Sequence, residues 1–340
     1  MSSQKSAFLK KISRWLIPLL ISVLAFWLVL RNIDLSKFIT NLKRVGFEAV
    51  FYATLLHFLS LLFRVFSWYI LLGRKVSFTD AFFTMNAGYL LNNVFPFRLG
   101  EIGRALLLDN PEGPSALEAF SSVIVERVFD VFLAAVFVLT LLPRVLAGDS
   151  HQTLILIAFL LAMLGILALY LIARYRKHIL VWLDRWGEKA AFIDRWVKPK
   201  AAQILEGLSV LSNPRLFLLA FGSLFISWIL AFVQNFVVFR ALYPNPPFWW
   251  MIFVLSIGTF GIALPSGPAG LGVFEGAMVA GFALLGVDAG VGFAHAIIIH
   301  AMSIVYNNIF GMIGLHLRGE ALVDLYHRAI RRSPKVQTQE

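Results

Sequence analysis

Residues 248–286 are thirty-nine consecutive positions that carry one charged side chain, Glu275. No water-soluble fold can cover so long an apolar run on every side. In a bilayer about 20 apolar residues span the hydrocarbon, and a helix satisfies its own backbone polar groups there. The run is interrupted at its middle by Pro265-Ser266-Gly267-Pro268-Ala269-Gly270-Leu271-Gly272. It therefore reads as two half-length helices joined by a turn. The whole chain agrees: of 340 residues, 59% are apolar and 14% charged, against about 45–50% and about 25% in soluble domains. This excludes a disordered chain, a nucleic-acid-binding domain and an ordinary cytosolic enzyme. The fold class is all-α, a polytopic helical membrane protein.

Six runs are long enough for full spans: residues 15–30, 49–72, 123–142, 154–173, 216–239 and 291–317. Lys5, Lys10, Lys11 and Arg14 precede the first, as in a signal peptide. Arg31-Asn32-Ile33-Asp34 follows it where a cleavage site would show small residues, so the helix is read as retained. Between 34 and 45, Leu35, Phe38, Ile39, Leu42 and Val45 share one helical face, which suits a short interfacial helix. Residues 174–215 hold nine Lys/Arg against four Asp/Glu and include Trp182, Trp186 and Trp196. They read as a cytoplasmic, basic, amphipathic linker with its indoles at headgroup level. Residues 1–320 form one transmembrane domain, and 321–340 form a cytoplasmic tail. The net charge of +11 lies at the ends of the apolar runs. In the layout with both termini inside, 22 of the 30 Lys/Arg face the cytoplasm and six face out, as the positive-inside rule requires. The location expected is a bacterial inner membrane.

A second interrupted segment covers 81–108. Its apolar stretch contains Asn86, Gly88, Asn92, Asn93 and Pro96, then meets Arg98, Gly100, Glu101 and Arg104. Both interrupted segments read as re-entrant hairpins. Each is flanked by full spans, so 49–142 and 216–317 read as an inverted repeat, and paired Pro/Gly-broken segments in two inverted halves point to a mid-membrane binding site; the other readings are two unrelated Gly/Pro kinks, or full double spans, which give the same sidedness.

Three constellations could carry chemistry. In the first, Asn92, Asn93, Arg98, Glu101 and Arg104 surround the break at Pro96 and Gly100. Freed backbone N–H groups and guanidinium forks suit phosphate; the other reading of Arg98 and Arg104 is as topology anchors at the cytoplasmic interface. In the second, Glu126 and Asp130 share a helix face at i,i+4 and Arg127 is i,i+3 from Asp130. They either line a site with Arg64 or Arg98 as partner, or lock helices together as ion pairs. In the third, Gly270, Gly272 and Glu275 lie at the second break; Glu275 as a lone intramembrane charge is a functional candidate, whereas Gly272 and Gly276 at GxxxG spacing also fit plain helix packing. His295 and His300 lie on different helix faces, so they do not form a two-histidine metal site, and a cysteine-free chain has no thiolate ligands or disulfides. No cofactor and no metal are expected.

These residues resemble a flippase-like family that includes the transmembrane region of bacterial lysylphosphatidylglycerol synthases. Free-standing bacterial proteins and the membrane part of an archaeal dolichol-linked glycosyltransferase are similar. The resemblance is carried by Asn92-Asn93 through Pro96, Arg98, Gly100-Glu101 and Arg104, by Glu126-Arg127-Asp130, and by 265–272 with Glu275, and it covers residues 10–320. The turn at 265–272 departs from the family's more usual Pro-Gly-Gly pattern. In the synthases this region is associated with moving an aminoacylated anionic lipid across the bilayer, while a soluble domain makes that lipid. The residues after 320 leave no room for such a domain, so the resemblance implies the translocating half alone. The expected function is a lipid translocase that holds an anionic phospholipid or polyprenyl-linked headgroup between the two broken hairpins, and no nucleic-acid partner is expected. Two alternatives stay open: a glycosyl or phosphoryl transferase acting on a lipid-linked substrate, and a regulatory membrane subunit.

Overall fold

A computed structural model describes residues 20–332 apart from 29, 32, 97, 110, 112, 147–151, 188–191 and 264–265. Among the described residues all regular structure is helical. Helix α1 covers residues 20–28; positions 15–19 of the first expected span lie outside the described residues. There follow α2 (Leu35–Arg44), α3 (Phe47–Leu71), α4 (Phe78–Val94), α5 (Leu99–Leu107), α6 (Ala116–Leu146), α7 (Gln152–Arg174), α8 (Arg176–Gly187), α9 (Lys198–Gly207), α10 (Pro214–Leu242), α11 (Phe248–Ala263), α12 (Val273–Leu284), α13 (Ala289–Leu317) and α14 (Leu322–Arg332). Helices α3, α6, α10 and α13 are each long and apolar enough to cross a membrane, and α7 covers the run expected at 154–173.

The helix starts follow local chemistry. Asp34, Ser77, Asn213 and Asp288 each turn a side-chain oxygen onto the first free N–H groups of α2, α4, α10 and α13, which are the donors a helix leaves unpaired. Pro214 at the first turn of α10 has no N–H to satisfy. Helix α6 begins seven residues before the apolar run that announced it. Its first turns carry Glu118, Ser121 and Ser122. Glu118 pairs with Lys75 at the surface and Ser122 accepts from the Trp68 indole, so polar residues with assigned partners hid a helix that hydropathy alone could not see. Glu126, Arg127 and Asp130 consequently stand near the third turn of α6, not in its first.

Helices α3 and α10 lie along one another over much of their length. Around them, α4 packs on α13 and α6 packs on α11; α5 lies against α4 and α6, and α12 lies against α11 and α13. Exchanging α3, α4, α5, α6 with α10, α11, α12, α13 leaves this set of neighbours unchanged. The two broken pairs, α4/α5 and α11/α12, fold back so that their legs pack together. At the first break Arg98 takes a left-handed conformation with φ +52°. At the second, a single 3-10 turn (Pro268–Gly270) leads through Gly270 and Gly272 at φ +72° and +83°, where only glycine is unstrained.

Apolar packing is concentrated inside this frame. Trp68, Phe129 and Trp228 join α3, α6 and α10; Phe239, Phe253 and Phe282 join α10, α11 and α12. Outward faces carry exposed Phe47, Phe51, Leu55, Leu218 and Met312, the pattern of a surface meeting lipid. Helix α2 is tied to the bundle: Phe38 packs on Phe293 of α13 at 5.1 Å between ring centroids. Helices α8 and α9, joined by a π-helical turn (Ile193–Val197), carry the basic linker with Trp182, Trp186 and Trp196 all exposed. Helix α14 lies on α5, with Tyr326 stacked on Phe95.

Candidate functional site

A cavity of about 970 Å³ opens between α3, α6, α10, α13 and the two breaks. Its charged wall is built from α3, α5 and α6. Arg64 holds Asp130 with both guanidinium ends, at 2.9 and 2.8 Å, and gives a further bond to Glu126 at 3.0 Å. Trp228 of α10 donates to the same Asp130 at 3.0 Å. Glu126 is fully buried and is shared by three arginines: Arg64, Arg127 at 3.1 Å and Arg104 at 2.7 Å. Arg104, 2% exposed, lies with its guanidinium 4.7 Å from the centre of the Trp68 ring. Arg127 also reaches Asp130, and Arg98 reaches Glu101 at 3.3 Å. The cluster thus contains four arginines (64, 98, 104 and 127) and three carboxylates (101, 126 and 130). Its formal charge is +1 when all are ionised.

Elsewhere uncharged polar side chains line the cavity among apolar ones. Asn92 and Asn93 face the cavity from the end of α4. Asn92 accepts the Gly100 N–H at 2.7 Å, which ties the two legs together across the break. Asn93 donates to Asn308 of α13 at 2.7 Å. Gln234, Thr259, Ser303 and Asn307 continue the lining from α10, α11 and α13. The Asn307 side-chain oxygen Oδ1 is buried without a partner.

The second break closes one end. Ser266, Gly267, Ala269 and Gly270 line the cavity. Gly272 does not: a Cβ there would meet the Ser22 carbonyl oxygen of α1 at 2.3 Å, so this glycine serves a close approach of α1 to the turn. The Gly267 N–H donates to Ser22 Oγ at 2.8 Å and completes that junction. Glu275 is fully buried behind the turn, where its Oε2 accepts the Gly272 N–H at 2.7 Å and its Oε1 lies 2.6 Å from His300 Nδ1.

The structure therefore brings Asn92, Asn93, Arg98, Glu101, Arg127, Asp130 and Gly270 onto one cavity wall or another. Arg104, Glu126, Gly272 and Glu275 stand behind it as supports. Phe97 and Pro265 of the two break motifs lie outside the described residues. Sequence reasoning did not single out Trp228 or place His300 against Glu275. Arg64 was legible as an intramembrane cation next to an i,i+4 acid pair. His300 carried only the weaker signal of a histidine in an apolar span. Glu126 is unsuited to act as a base, because it is buried and both its oxygens are occupied by arginine.

Comparison with known proteins gives two findings. The family described as lysylphosphatidylglycerol synthase TM region matches residues 15–311. A UPF0104 membrane protein of Methanothermobacter thermautotrophicus (strain Delta H) is 25% identical over 250 residues, which is 68% of this chain and 71% of that protein.

Proposed function

The chain belongs to the lysylphosphatidylglycerol synthase TM-region family, and from that premise we propose that it is an inner-membrane lipid translocase whose cavity takes the headgroup of an anionic lipid. The observation that carries the reading is the arginine excess. Four guanidinium groups and three carboxylates meet beside a cavity of about 970 Å³ inside an apolar helical protein. Charge at membrane depth is costly and is retained where a ligand uses it. Arg98 and Arg127 line the cavity and keep donor positions to offer a phosphate, and planar forks match phosphate oxygens. The two carboxylates that line it, Glu101 and Asp130, are held by arginines. Elsewhere the lining offers amides and hydroxyls. This chemistry favours a phosphate with a hydroxylated headgroup over one bearing an ammonium.

In this reading 49–142 and 216–317 are inverted repeats, the breaks are re-entrant tips and both termini are cytoplasmic. The exchange symmetry of helix neighbours supports the repeat. Rocking of one repeat against the other would expose the cavity to each leaflet in turn while the acyl chains stay in lipid.

The test uses purified protein in vesicles holding acyl-labelled phosphatidylglycerol or phosphatidylethanolamine, with the outer-leaflet pool measured over time. Wild type is expected to speed redistribution of the glycerol lipid more than that of the amine lipid. Arg98→Ala, checked for unchanged thermal unfolding, is expected to lose at least about tenfold, the effect of one charge-assisted contact of about 1.5–3 kcal/mol. Wild-type rates in a folded Arg98→Ala protein would remove the phosphate site.

A further inference from the structure

The hydrogen bonds around Glu275 fix a proton count. His300 Nε2 is 3.0 Å from the carbonyl oxygen of Ala269, and a carbonyl can only accept. Nε2 therefore carries a hydrogen. On the other side of the ring, Nδ1 stands 2.6 Å from Glu275 Oε1. That contact also needs a hydrogen, on Nδ1 as an imidazolium facing a carboxylate, or on Oε1 as a carboxylic acid facing a neutral ring. Without it two lone pairs would be pressed together. The remaining Glu275 oxygen is occupied by the Gly272 N–H. The pair as folded thus holds one proton more than its deprotonated form.

Its surroundings give that proton no second ionic partner, although His300 shares its cavity with His57, Arg64, Arg98, Glu101, Arg127 and Asp130. Among the described residues, neither member has an ion pair with any other group. Helix α11, packed on α12, has no titratable side chain. Helix α13 adds His295, bonded to Asn235, Tyr306, bonded to Thr54, and His316 in its last turn. Helix α4 adds Tyr89 and, at its far end, Asp80; α10 adds Arg215 and Arg240 in its first and last turns; α2 adds Lys37, Lys43 and Arg44. Residues 20–28 add none, and Arg31 lies against Trp27. Glu275 is sealed from solvent, but His300 lines the cavity and gives the proton an exit.

We propose that Glu275 and His300 together form a proton-binding site that clamps the second break shut when occupied. Loss of the proton to cavity water leaves a Glu275 carboxylate and a neutral His300, still donating from Nε2 to Ala269. Oε1 and Nδ1 then repel, and the bond joining α12 to α13 opens; uptake reverses each step. The proton site stands on its own geometry. Its use as the coupling ion for transport rests on the lipid-translocase reading.

The cysteine-free chain permits a direct test. A single cysteine replaces Leu271, which is 46% exposed beside the turn, and a reference cysteine replaces the exposed Leu317. Maleimide labelling of the two is compared in purified protein from about pH 5 to about pH 8. The Leu271→Cys rate relative to the reference is expected to rise at least about threefold with pH, as an opening equilibrium shifts. Glu275→Gln supplies an amide N–H to Nδ1 and a carbonyl to Gly272, so the clamp is kept without the titration and the profile should become flat. His300→Gln should also abolish the step, which assigns it to the pair if either variant folds poorly. A flat wild-type profile, or an unchanged step in Glu275→Gln, overturns the proposal. Lipid redistribution in the same preparation, without a pH gradient, reports separately. A pH step with no lipid movement keeps the proton site and removes the transport reading; lipid movement with a flat profile does the reverse.

Discussion

Gly100→Ala tests whether the first break is held by direct backbone contact. A Cβ at Gly100 would lie 1.8 Å from the Gly88 carbonyl oxygen and 2.7 Å from Asn92 Oδ1. Backbone cannot swing aside as a side chain can, so α5 must move off α4 by about 1.6 Å to restore ordinary contact, and close-packed interiors resist such shifts. The first cost is overpacking, about 1–3 kcal/mol. The second is the Gly100–Asn92 hydrogen bond, now 2.7 Å, at about 1 kcal/mol. The displacement also shifts Arg104, on the same helix, relative to Glu126 of α6, to which it is bonded at 2.7 Å. A loss of at least about 2–4 kcal/mol is expected from the first two effects alone, with lipid movement falling in parallel because Arg98 and Glu101 flank the substituted residue. The assay is thermal unfolding in detergent followed by tryptophan emission, beside Gly222→Ala as control. No atom lies within 4 Å of a Cβ built at Gly222 in α10, so that change should stabilise by up to about 1 kcal/mol through helix propensity. A Gly100→Ala protein as stable and active as wild type would refute the reasoning.

Two further outcomes follow from the ion pairs. Glu126→Gln leaves Arg104 buried against a neutral amide and should lower stability by about 3–5 kcal/mol, whereas Arg104→Met combined with Glu126→Leu should recover most of it; a denaturant titration that ranks the double variant below the single one would contradict this. At the protein surface, burial draws the Lys75 pKa down, but Glu118 and Glu206 outweigh it and hold it above its ordinary value. The pair's modest contribution should therefore be complete below about pH 10.4 and fade as pH rises past the folded value, and Lys75→Met should remove that fade from an unfolding-against-pH series.

Apolar runs revealed the long helices because hydropathy is a local property, summed over about 20 residues. The breaks were legible for the same reason: Pro96 and Gly100, and the glycines at 270 and 272, punctuate within a few positions. The Glu126–Asp130 spacing placed both acids on one face and made Arg64 an obvious partner, and Arg64 does clasp Asp130. Arg98 was the other partner considered, and it bonds Glu101 instead. The rest depends on contacts across helices. Nothing in the local pattern says that Trp228 will reach Asp130 over 98 residues, or that Arg104 will settle on the Trp68 ring. The five-residue spacing of His295 and His300 correctly separated their faces, but only packing shows that one meets Asn235 and the other Glu275. The beginning of α6 was hidden because Glu118 and Ser122 make its first turns look like loop until their partners are known.

The bond from Gly267 to Ser22 joins positions 245 residues apart. During synthesis at about 5–20 residues per second, the first helix must wait about 12–50 s for its partner to emerge. Through that interval Ser22 faces lipid or a transient companion, and the polar junction cannot form. Completion of the fold is therefore a late event in the life of each new chain. Helix α1 is its closing piece, although it is made long before its partner.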